Sequence, residues 1–250
     1  LKTRMSSVKE AEEIIKENII GFFNWKKNRE NIPLITRIQD KGDSIKKLEI
    51  KLAKKRLEKL GCINIEMRLR TGEIEVTLKN KESGGDLILI GKRGNKNSET
   101  KSRLGYNFER IVRASTKPVF VSNSICKEIN HVLVAYDGSL PSIRILEYLL
   151  GQSAFGVLEV SILVVSKAAK DRLGQEQRSF IMSLNQRNQS INFIDATGDP
   201  KDQIIKRLRH QRYDMLAIGA YGHSKLRQLF IGSTTSALIH ASPVPVLLSK

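Results

Sequence analysis

The second half of the chain alternates short apolar runs with helical segments, and this alternation restricts its fold more than any other feature. Strands are predicted at residues 131–135, 157–165, 191–196, 215–218 and 244–248. Helices are predicted at residues 141–150, 167–187, 201–211 and 233–240. Strands that alternate with helices form a mainly parallel sheet with helices on both faces. The predicted fold class is therefore α/β.

Polar and glycine residues follow two of these strands. The turn Tyr136-Asp-Gly-Ser139 follows the first strand, and Gly219-Ala-Tyr-Gly222 follows the fourth, with Gly232-Ser-Thr-Thr235 farther along. In open parallel sheets, ligands bind beyond the carboxyl ends of the strands, where the strand order reverses. Glycines expose backbone N–H groups, and a helix start favours a phosphate. The pattern predicts a nucleotide site; glycines that only shape turns are the alternative.

Three stretches of the first half recur in the second half at a separation close to half the chain length. The matched pairs are 71–72 with 197–198, 86–91 with 214–219, and 117–121 with 242–246. Recurrence at one separation is the signature of a repeated domain. We therefore predict two tandem copies, residues 1–125 and residues 128–250, with a boundary near Ser124–Glu128.

The first copy follows the same layout but lacks an opening strand with an Asp-Gly-Ser turn. Its predicted helices and strands lie at 8–26, 32–38, 44–60, 63–69, 87–90 and 119–121, with a further helix on each side of 87–90. The chain begins with Leu1 rather than Met. Two alternatives explain the gap: the first strand was lost naturally, or an N-terminal piece is absent from this sequence.

The formal net charge of +17 lies mainly in the first half and is densest in residues 46–59. That segment places apolar residues on one helical face and Lys and Arg on the other. The apolar residues are Ile45, Leu48, Leu52, Leu57 and Leu60. A solvated helix face is the expected explanation, and contact with nucleic acid or an anionic membrane is the alternative. No zinc finger, RNA-binding signature or helix-turn-helix is recognisable, so nucleic acid is not an expected partner.

The remaining composition favours a cytoplasmic globular protein. The two cysteines, Cys62 and Cys126, are far apart and have no metal-ligand spacing, so neither a disulfide framework nor a metal site is predicted. No apolar run has the roughly 20 residues that cross a bilayer. The first residues have no apolar core of the kind found in secretory signals.

Residues 131–250 resemble the universal stress protein family. The resemblance rests on a first strand that ends in Ala-Tyr-Asp-Gly-Ser, on Gly-x-x-Gly-x9-Gly-Ser, and on the terminal Ser-Pro-Val-Pro-Val. It implies two tandem Rossmann-like domains of the adenine-nucleotide-binding type, each a mainly parallel sheet between helices, with the opening strand missing from the first copy. The implied ligand is ATP or AMP in the second domain, with or without Mg²⁺.

The resemblance also implies which residues contact the nucleotide. Asp137 would bind the ribose or the adenine edge, Val164 or Val165 would pack against adenine, and the glycines would let the backbone approach the ribose and phosphates. The implied site residues are Ala135, Tyr136, Asp137, Val164, Val165, Gly219, Tyr221, Gly222, Gly232, Ser233, Thr234 and Thr235. An ordinary turn residue is the alternative role of Asp137.

The first copy departs from this pattern at the phosphate-facing positions. Gly91-Lys-Arg-Gly94 is followed by ten residues before Gly105, and Tyr106 stands where the second copy has a serine. We expect no ATP binding by this copy and expect Lys92 and Arg93 to be solvated surface charges, with attraction of an anion as the alternative. Its expected role is to pair with the second copy, since domains of the family dimerise through the last strand. A homodimer of the whole chain is the other association left open.

No catalytic residues are predicted. A Walker lysine, a pair of Mg²⁺ carboxylates and a Ser-His-Asp arrangement are all missing from the sequence pattern. The expected function is an adenine-nucleotide sensor or regulatory module in stress response, in which binding orders the 222–232 loop; weak ATPase or autophosphorylation activity would be secondary. The alternatives are a nucleotide-free interaction or structural module and a cytoplasmic regulatory domain of a membrane transporter.

Overall fold

A computed structural model of the chain describes most of the second half and parts of the first. The described residues are 51, 54, 55, 57–59, 65, 78, 86–92, 108–123, 128–151, 155–166, 173–186, 188–210, 212–220 and 233–250. The strands are β1 (Ile88–Gly91), β2 (Val119–Ser122), β3 (His131–Ala135), β4 (Glu159–Ser166), β5 (Ser190–Thr197), β6 (Met215–Gly219) and β7 (Val246–Ser249). The helices are α1 (Phe108–Ala114), α2 (Leu140–Leu150), α3 (Gln175–Ser183), α4 (Pro200–His210) and α5 (Ser233–Ala241).

The predicted alternation of strands and helices in the second half is confirmed, with most ends within two residues of their expected places. The exception is the helix expected at 167–187, because its described part, α3, is shorter. The strands expected at 87–90 and 119–121 are confirmed as β1 and β2. The elements expected at 8–26, 32–38 and most of 63–69 lie outside the described residues.

The seven strands form one sheet in the order β1-β2-β7-β6-β3-β4-β5. Every neighbouring pair is parallel except β2 with β7. From β3 the chain adds β4 and β5 on one side, and it then returns to place β6 and β7 on the other. The strand order therefore reverses at β3 and β6, which is where a ligand crevice is expected in such a sheet.

Each face of the sheet buries its own apolar cluster, because successive side chains of a strand point to opposite faces. The first cluster joins Val134 of β3 to Ile145 of α2 and Ile181 of α3. The second cluster joins Leu133 of β3 to Leu208 of α4 and other side chains of α1 and α5. The alternation within β3 thus fixes which helices lie above and which below the sheet.

The first half contributes to the same core. Leu57 is 0% exposed within the first cluster, as is Phe120 of β2. Residues 51, 54, 55 and 57–59 are helical, and Lys51, Lys54 and Lys55 are exposed. At these positions the expected amphipathic helix has its apolar side buried and its cations in solvent.

The unit β1–α1–β2 repeats the hydrogen bonding of the unit β6–α5–β7. In the first unit Ile88 N donates to Pro118 O at 2.9 Å, and in the second Leu216 N donates to Pro245 O at 3.0 Å. Pro118 therefore corresponds to Pro245. The sequence match of 117–121 with 242–246 is wrong by two residues, because strand register rather than a shared Pro-Val pair fixes the equivalence.

The serines after α1 and α5 confirm this equivalence. Ser115 N donates to Ile111 O at 2.9 Å, and Ser242 N donates to Leu238 O at 2.8 Å. Each hydroxyl then donates to the carbonyl two residues ahead at 2.7 Å. Both serines are buried, so the same turn connects helix to strand in each unit.

The antiparallel pair β2–β7 relates the two units by a local two-fold axis. The paired residues are Val119 with Leu248, Phe120 with Leu247, and Val121 with Val246. Because the strands are equivalent, this pairing is self-complementary, and the axis passes between Phe120 and Leu247. It places the carboxyl ends of β1 and β2 at the sheet edge opposite to the carboxyl ends of β6 and β7.

Candidate functional site

The carboxyl ends of β3, β4 and β6 lie side by side at the point where the strand order reverses. Ala135, the last residue of β3, is paired with Leu163 of β4 and with Ile218 of β6. Tyr136 extends the pairing, since its N–H donates to Leu163 O at 2.9 Å. The predicted residues at the ends of these three strands therefore share one sheet edge.

Asp137 lies in the turn between β3 and α2 with its side chain exposed. Its Oδ1 accepts hydrogen bonds from Ser139 N at 3.0 Å and from Ser139 Oγ at 2.5 Å. Gly138 has a φ of +74°, which L side chains rarely adopt, and completes the turn. The turn role of Asp137 is thus observed, and the same bonds fix the direction of a carboxylate at the sheet edge.

Ala135 and Tyr136 project to opposite faces of the sheet. Tyr136 is 6% exposed and packs in the first cluster with Val164, which is 8% exposed. Burial, and then the negative charge of Asp137, raise the pKa of Tyr136 above its ordinary value, so its hydroxyl stays protonated at neutral pH. Ala135 and Val165 are half-buried on the face covered by α4 and α5. On that face they offer an apolar wall near the sheet edge.

Gly219 ends β6 in close contact with the first turn of α2. A Cβ on Gly219 would lie 2.8 Å from Ser142 N and 2.9 Å from Pro141 Cβ. Such distances are shorter than real Cβ contacts allow, so this position needs glycine for packing between strand and helix. The sequence predicted that this glycine lets the backbone approach a ligand. The contact with α2 explains the glycine independently of any ligand.

Helix α5 begins at Ser233 and supplies the remaining described site residues. Thr234 is exposed and Thr235 is half-buried in its first turn. The first amide groups of a helix have no partner within it, and they carry the positive end of the helix dipole. Tyr221, Gly222 and Gly232 lie outside the described residues, as does the side chain of Ser233.

Two features of the described polar groups bear on metal binding and catalysis. Within the described ranges, no group of three or more His, Cys, Asp or Glu side chains could hold a metal ion. His131 Nε2 lies 2.9 Å from Ser161 Oγ, a contact with the composition of a catalytic pair. Ser161 is only 1% exposed, however, and it lies towards the amino end of β4. Ser161 is therefore buried, and the pair lies away from the candidate site.

Two polar contacts, one in the Asp137 turn and one at the opposite edge of the sheet, were not predicted. Ser139 was recognised only as part of a turn, although Asp-x-Ser spacing is typical of a carboxylate that bonds the backbone two residues on. Lys92 was expected to be a solvated charge, but it is half-buried and its Nζ donates to Ser242 O at 3.1 Å. No local pattern identifies that partner, because the two residues are 150 positions apart.

Comparison with known proteins agrees with this fold. A family model described as the universal stress protein family matches residues 128–250. A second model, the dimerisation domain of glutamyl-tRNAGlu reductase, matches residues 10–70, most of which lie outside the described part of the chain. No helix in the described part has the length and apolar character needed to cross a membrane.

Two solved structures share the fold over most of the chain. A universal stress protein from Archaeoglobus fulgidus has a TM-score of 0.65 and 20% identity, and the alignment covers 95% of this chain and 93% of that one. A structure described as a putative universal stress protein from Pseudomonas aeruginosa has a TM-score of 0.58 and 15% identity, over 87% of this chain and 82% of that one.

Among curated proteins, a universal stress protein of Synechocystis is 32% identical over 206 residues, which are 80% of this chain and 70% of that protein. A universal stress protein of Methanocaldococcus jannaschii is 26% identical over 97 residues, which are 37% of this chain and 60% of that protein. The length and identity of the first match, with the family model on residues 128–250, show that this chain belongs to the universal stress protein family.

Proposed function

We propose that residues 128–250 bind an adenine nucleotide, ATP or AMP, at the carboxyl edge of the sheet. One observation carries the proposal: the Asp137 turn, the end of β4 and the end of β6 converge where the strand order reverses. Ligands of open parallel sheets bind at this point because the adjacent loops diverge and leave a crevice. Family membership agrees with the proposal without establishing the ligand.

The groups at this edge fit the parts of an adenine nucleotide. Asp137 presents an exposed, oriented carboxylate, which accepts hydrogen bonds from ribose hydroxyls or the adenine amino group. Ala135 and Val165 supply apolar surface for the base. The first-turn amides of α5 and the Thr234 hydroxyl would donate to phosphate oxygens. Tyr136 contributes through its backbone, since its ring is buried; Mg²⁺, where bound, would be held mainly by the phosphates.

We infer that the nucleotide acts as a signal and is not a substrate for turnover. Binding at this edge would change the surface that the Asp137 turn and α5 present to a protein partner. A ligand shifts such an equilibrium only as far as it binds one state more tightly than the other. The protein would then be a cytoplasmic nucleotide-responsive regulator in stress response.

We further propose that the first half of the chain is another copy of the domain. It would pair with residues 128–250 within the same chain. The matching hydrogen bonds of β1–α1–β2 and β6–α5–β7 support this, as does the local two-fold pairing of β2 with β7. The Archaeoglobus structure that aligns with 95% of this chain is a third support. The paired copy would bind no nucleotide itself.

A second candidate function is a nucleotide-free interaction module of the same fold. The structural role of Gly219 favours it, because that glycine is required by α2 whether or not a ligand binds. The hydrogen bond from Ser139 N likewise explains the shape of the Asp137 turn without a ligand. The two candidates make opposite predictions for ATP binding.

The test measures ATP binding by isothermal titration calorimetry with wild-type protein and the variant Asp137→Asn. The amide oxygen of asparagine keeps an acceptor for Ser139, so the turn is retained while the charge is lost. We expect the Kd for ATP to rise about tenfold or more, which corresponds to one lost hydrogen bond to a charged group. The variant Asp86→Asn removes an exposed carboxylate at the start of β1 and is the matched control.

Equal affinities of wild type and Asp137→Asn would remove Asp137 from the site. No heat and no thermal shift with ATP or AMP in the wild type would favour the nucleotide-free module instead.

A further inference from the structure

The helix that begins at the proposed phosphate site is held at its other end by the first half of the chain. Lys92 Nζ donates to Ser242 O at 3.1 Å, and Asn123 Nδ2 donates to Pro243 O at 2.7 Å. Ser242 directly follows α5, and its amide still bonds to Leu238 O in helical fashion. Both contacts therefore act on the carboxyl end of α5.

The antiparallel pairing of β2 with β7 explains how Lys92 reaches this position. Because α5 runs back across the sheet, its carboxyl end lies at the amino end of β7. The pairing brings the carboxyl end of β1 to the same edge, and Lys92 is the residue that follows β1. A contact in the opposite sense comes from Lys250, which follows β7 as Asn123 follows β2: its Nζ donates to Arg113 O near the end of α1 at 2.9 Å.

An ammonium group at this position stabilises the helix in two ways. The last carbonyl groups of a helix have no partner within it, and Lys92 supplies one to the buried residue Ser242. The positive charge also lies at the negative end of the helix dipole. Removing the ammonium would leave a carbonyl of a buried residue short of a donor and loosen this end of α5.

Because α5 is short, movement of its carboxyl end would also displace its first amide groups. It has nine residues, about two and a half turns, so a tilt at one end would displace the other end as well. Hydrogen bonds from its first amides to a phosphate need donor–acceptor distances near 2.9 Å. A tilt about the packed residues Leu238 and Ile239 would move those amides away from the phosphate oxygens.

We propose that Lys92 is a positioning residue for the nucleotide site of the other half, so that the first half sets the nucleotide affinity of the second. This inference rests on the proposed function. It gives the copy that lacks the phosphate-binding pattern a defined role: its Lys92, which was expected to be a solvated charge, binds the carboxyl end of α5 in the other half.

The experiment compares ATP affinity in the full chain for wild type, Lys92→Met, Lys92→Arg and Lys206→Met. Lys92→Met keeps the length of the side chain and removes the ammonium; Lys206→Met removes an exposed charge on α4 as the matched control. We expect Lys92→Met to raise the Kd about two- to fivefold, the range given by a charge at a helix end. Lys92→Arg should restore the wild-type Kd, and Lys206→Met should leave it unchanged.

Hydrogen exchange without nucleotide provides a second readout. We expect faster exchange of the Leu238 and Ile239 amides in Lys92→Met than in Lys206→Met. If Lys92→Met binds ATP with the wild-type Kd, the inference is wrong while the nucleotide site stands. The same holds if Lys92→Arg raises the Kd as much as Lys92→Met does. Absence of ATP binding by the wild type would instead overturn the proposed function, and with it this inference.

Discussion

Tyr136 and Asp137 are neighbours in sequence with opposite surroundings. The ring of Tyr136 is packed under α2, whereas the carboxylate of Asp137 is exposed and bonded to Ser139. Both lie just after β3, where alternating side-chain directions separate a core position from an edge position. The proposed role of Asp137 and the structural role of Tyr136 follow from that one alternation.

The raised pKa of Tyr136 predicts a loss of stability at alkaline pH. The folded-state pKa lies above the ordinary value of 10.0, so the unfolded chain releases this proton first. The contribution to stability is complete below that value and is lost as the pH rises through the folded-state pKa. The free energy of unfolding, measured by urea titration from about pH 9 to 11, should fall more steeply in wild type than in Tyr136→Phe. Parallel curves for the two proteins would contradict this.

At the scale of elements, the end of β6 and the start of α2 fit together through Gly219. The first turn of α2 contains Pro141, which suits a helix start because proline lacks an N–H group that would be unpaired there. Its ring and the following amide approach Gly219 more closely than a side chain permits. The contact fixes α2 against the sheet beside the Asp137 turn.

Gly219→Ala should therefore destabilise the protein by about 1–3 kcal/mol, the usual effect of overpacking a fitted contact. The new Cβ would face Ser142 N at 2.8 Å, and backbone cannot move as easily as a side-chain end. Urea unfolding followed by circular dichroism measures the change. Gly156→Ala is the control, since a Cβ there meets nothing within 4 Å; a similar loss in both variants would refute the packing argument.

At the scale of the whole molecule, one sheet and both of its apolar clusters connect the two halves. Phe120 lies at the local two-fold axis opposite Leu247 and contacts Phe155, with ring centroids 6.1 Å apart. Leu57 lies in the same cluster. The halves therefore share buried surface, and we expect them to unfold together.

Phe120→Ala should lower the free energy of unfolding by about 3–5 kcal/mol, as expected for truncation of a fully buried phenylalanine. Hydrogen exchange should show that β1, β2, β6 and β7 lose protection together. Phe180→Ala is the matched control, because Phe180 is 43% exposed, and it should change stability little. Loss of protection in β1 and β2 alone would mean that the halves unfold independently.

Local patterns in the sequence predicted most of the second-half fold. Apolar runs located β3, β4 and β6 closely, since buried parallel strands need continuous apolar sequence. They also predicted that Asp137 and Gly219 lie at the ends of strands, within reach of the crevice; that the two strands are neighbours came from the structure. The correspondence between the units β1–α1–β2 and β6–α5–β7 was less well predicted, because Pro-Val recurs at two places near β7 and only hydrogen-bond register distinguishes them.

The sequence by itself determined the α/β class, the order of the second-half elements and the residues that end the strands at the candidate site. Those properties depend on local periodicity and turn chemistry, which a short window contains. The tertiary structure alone decided that Gly219 contacts α2, that β2 pairs antiparallel with β7, and that Lys92 bonds to Ser242 O. Each of these contacts joins residues far apart in the chain, and packing selects such partners through shape and distance, which no local pattern records.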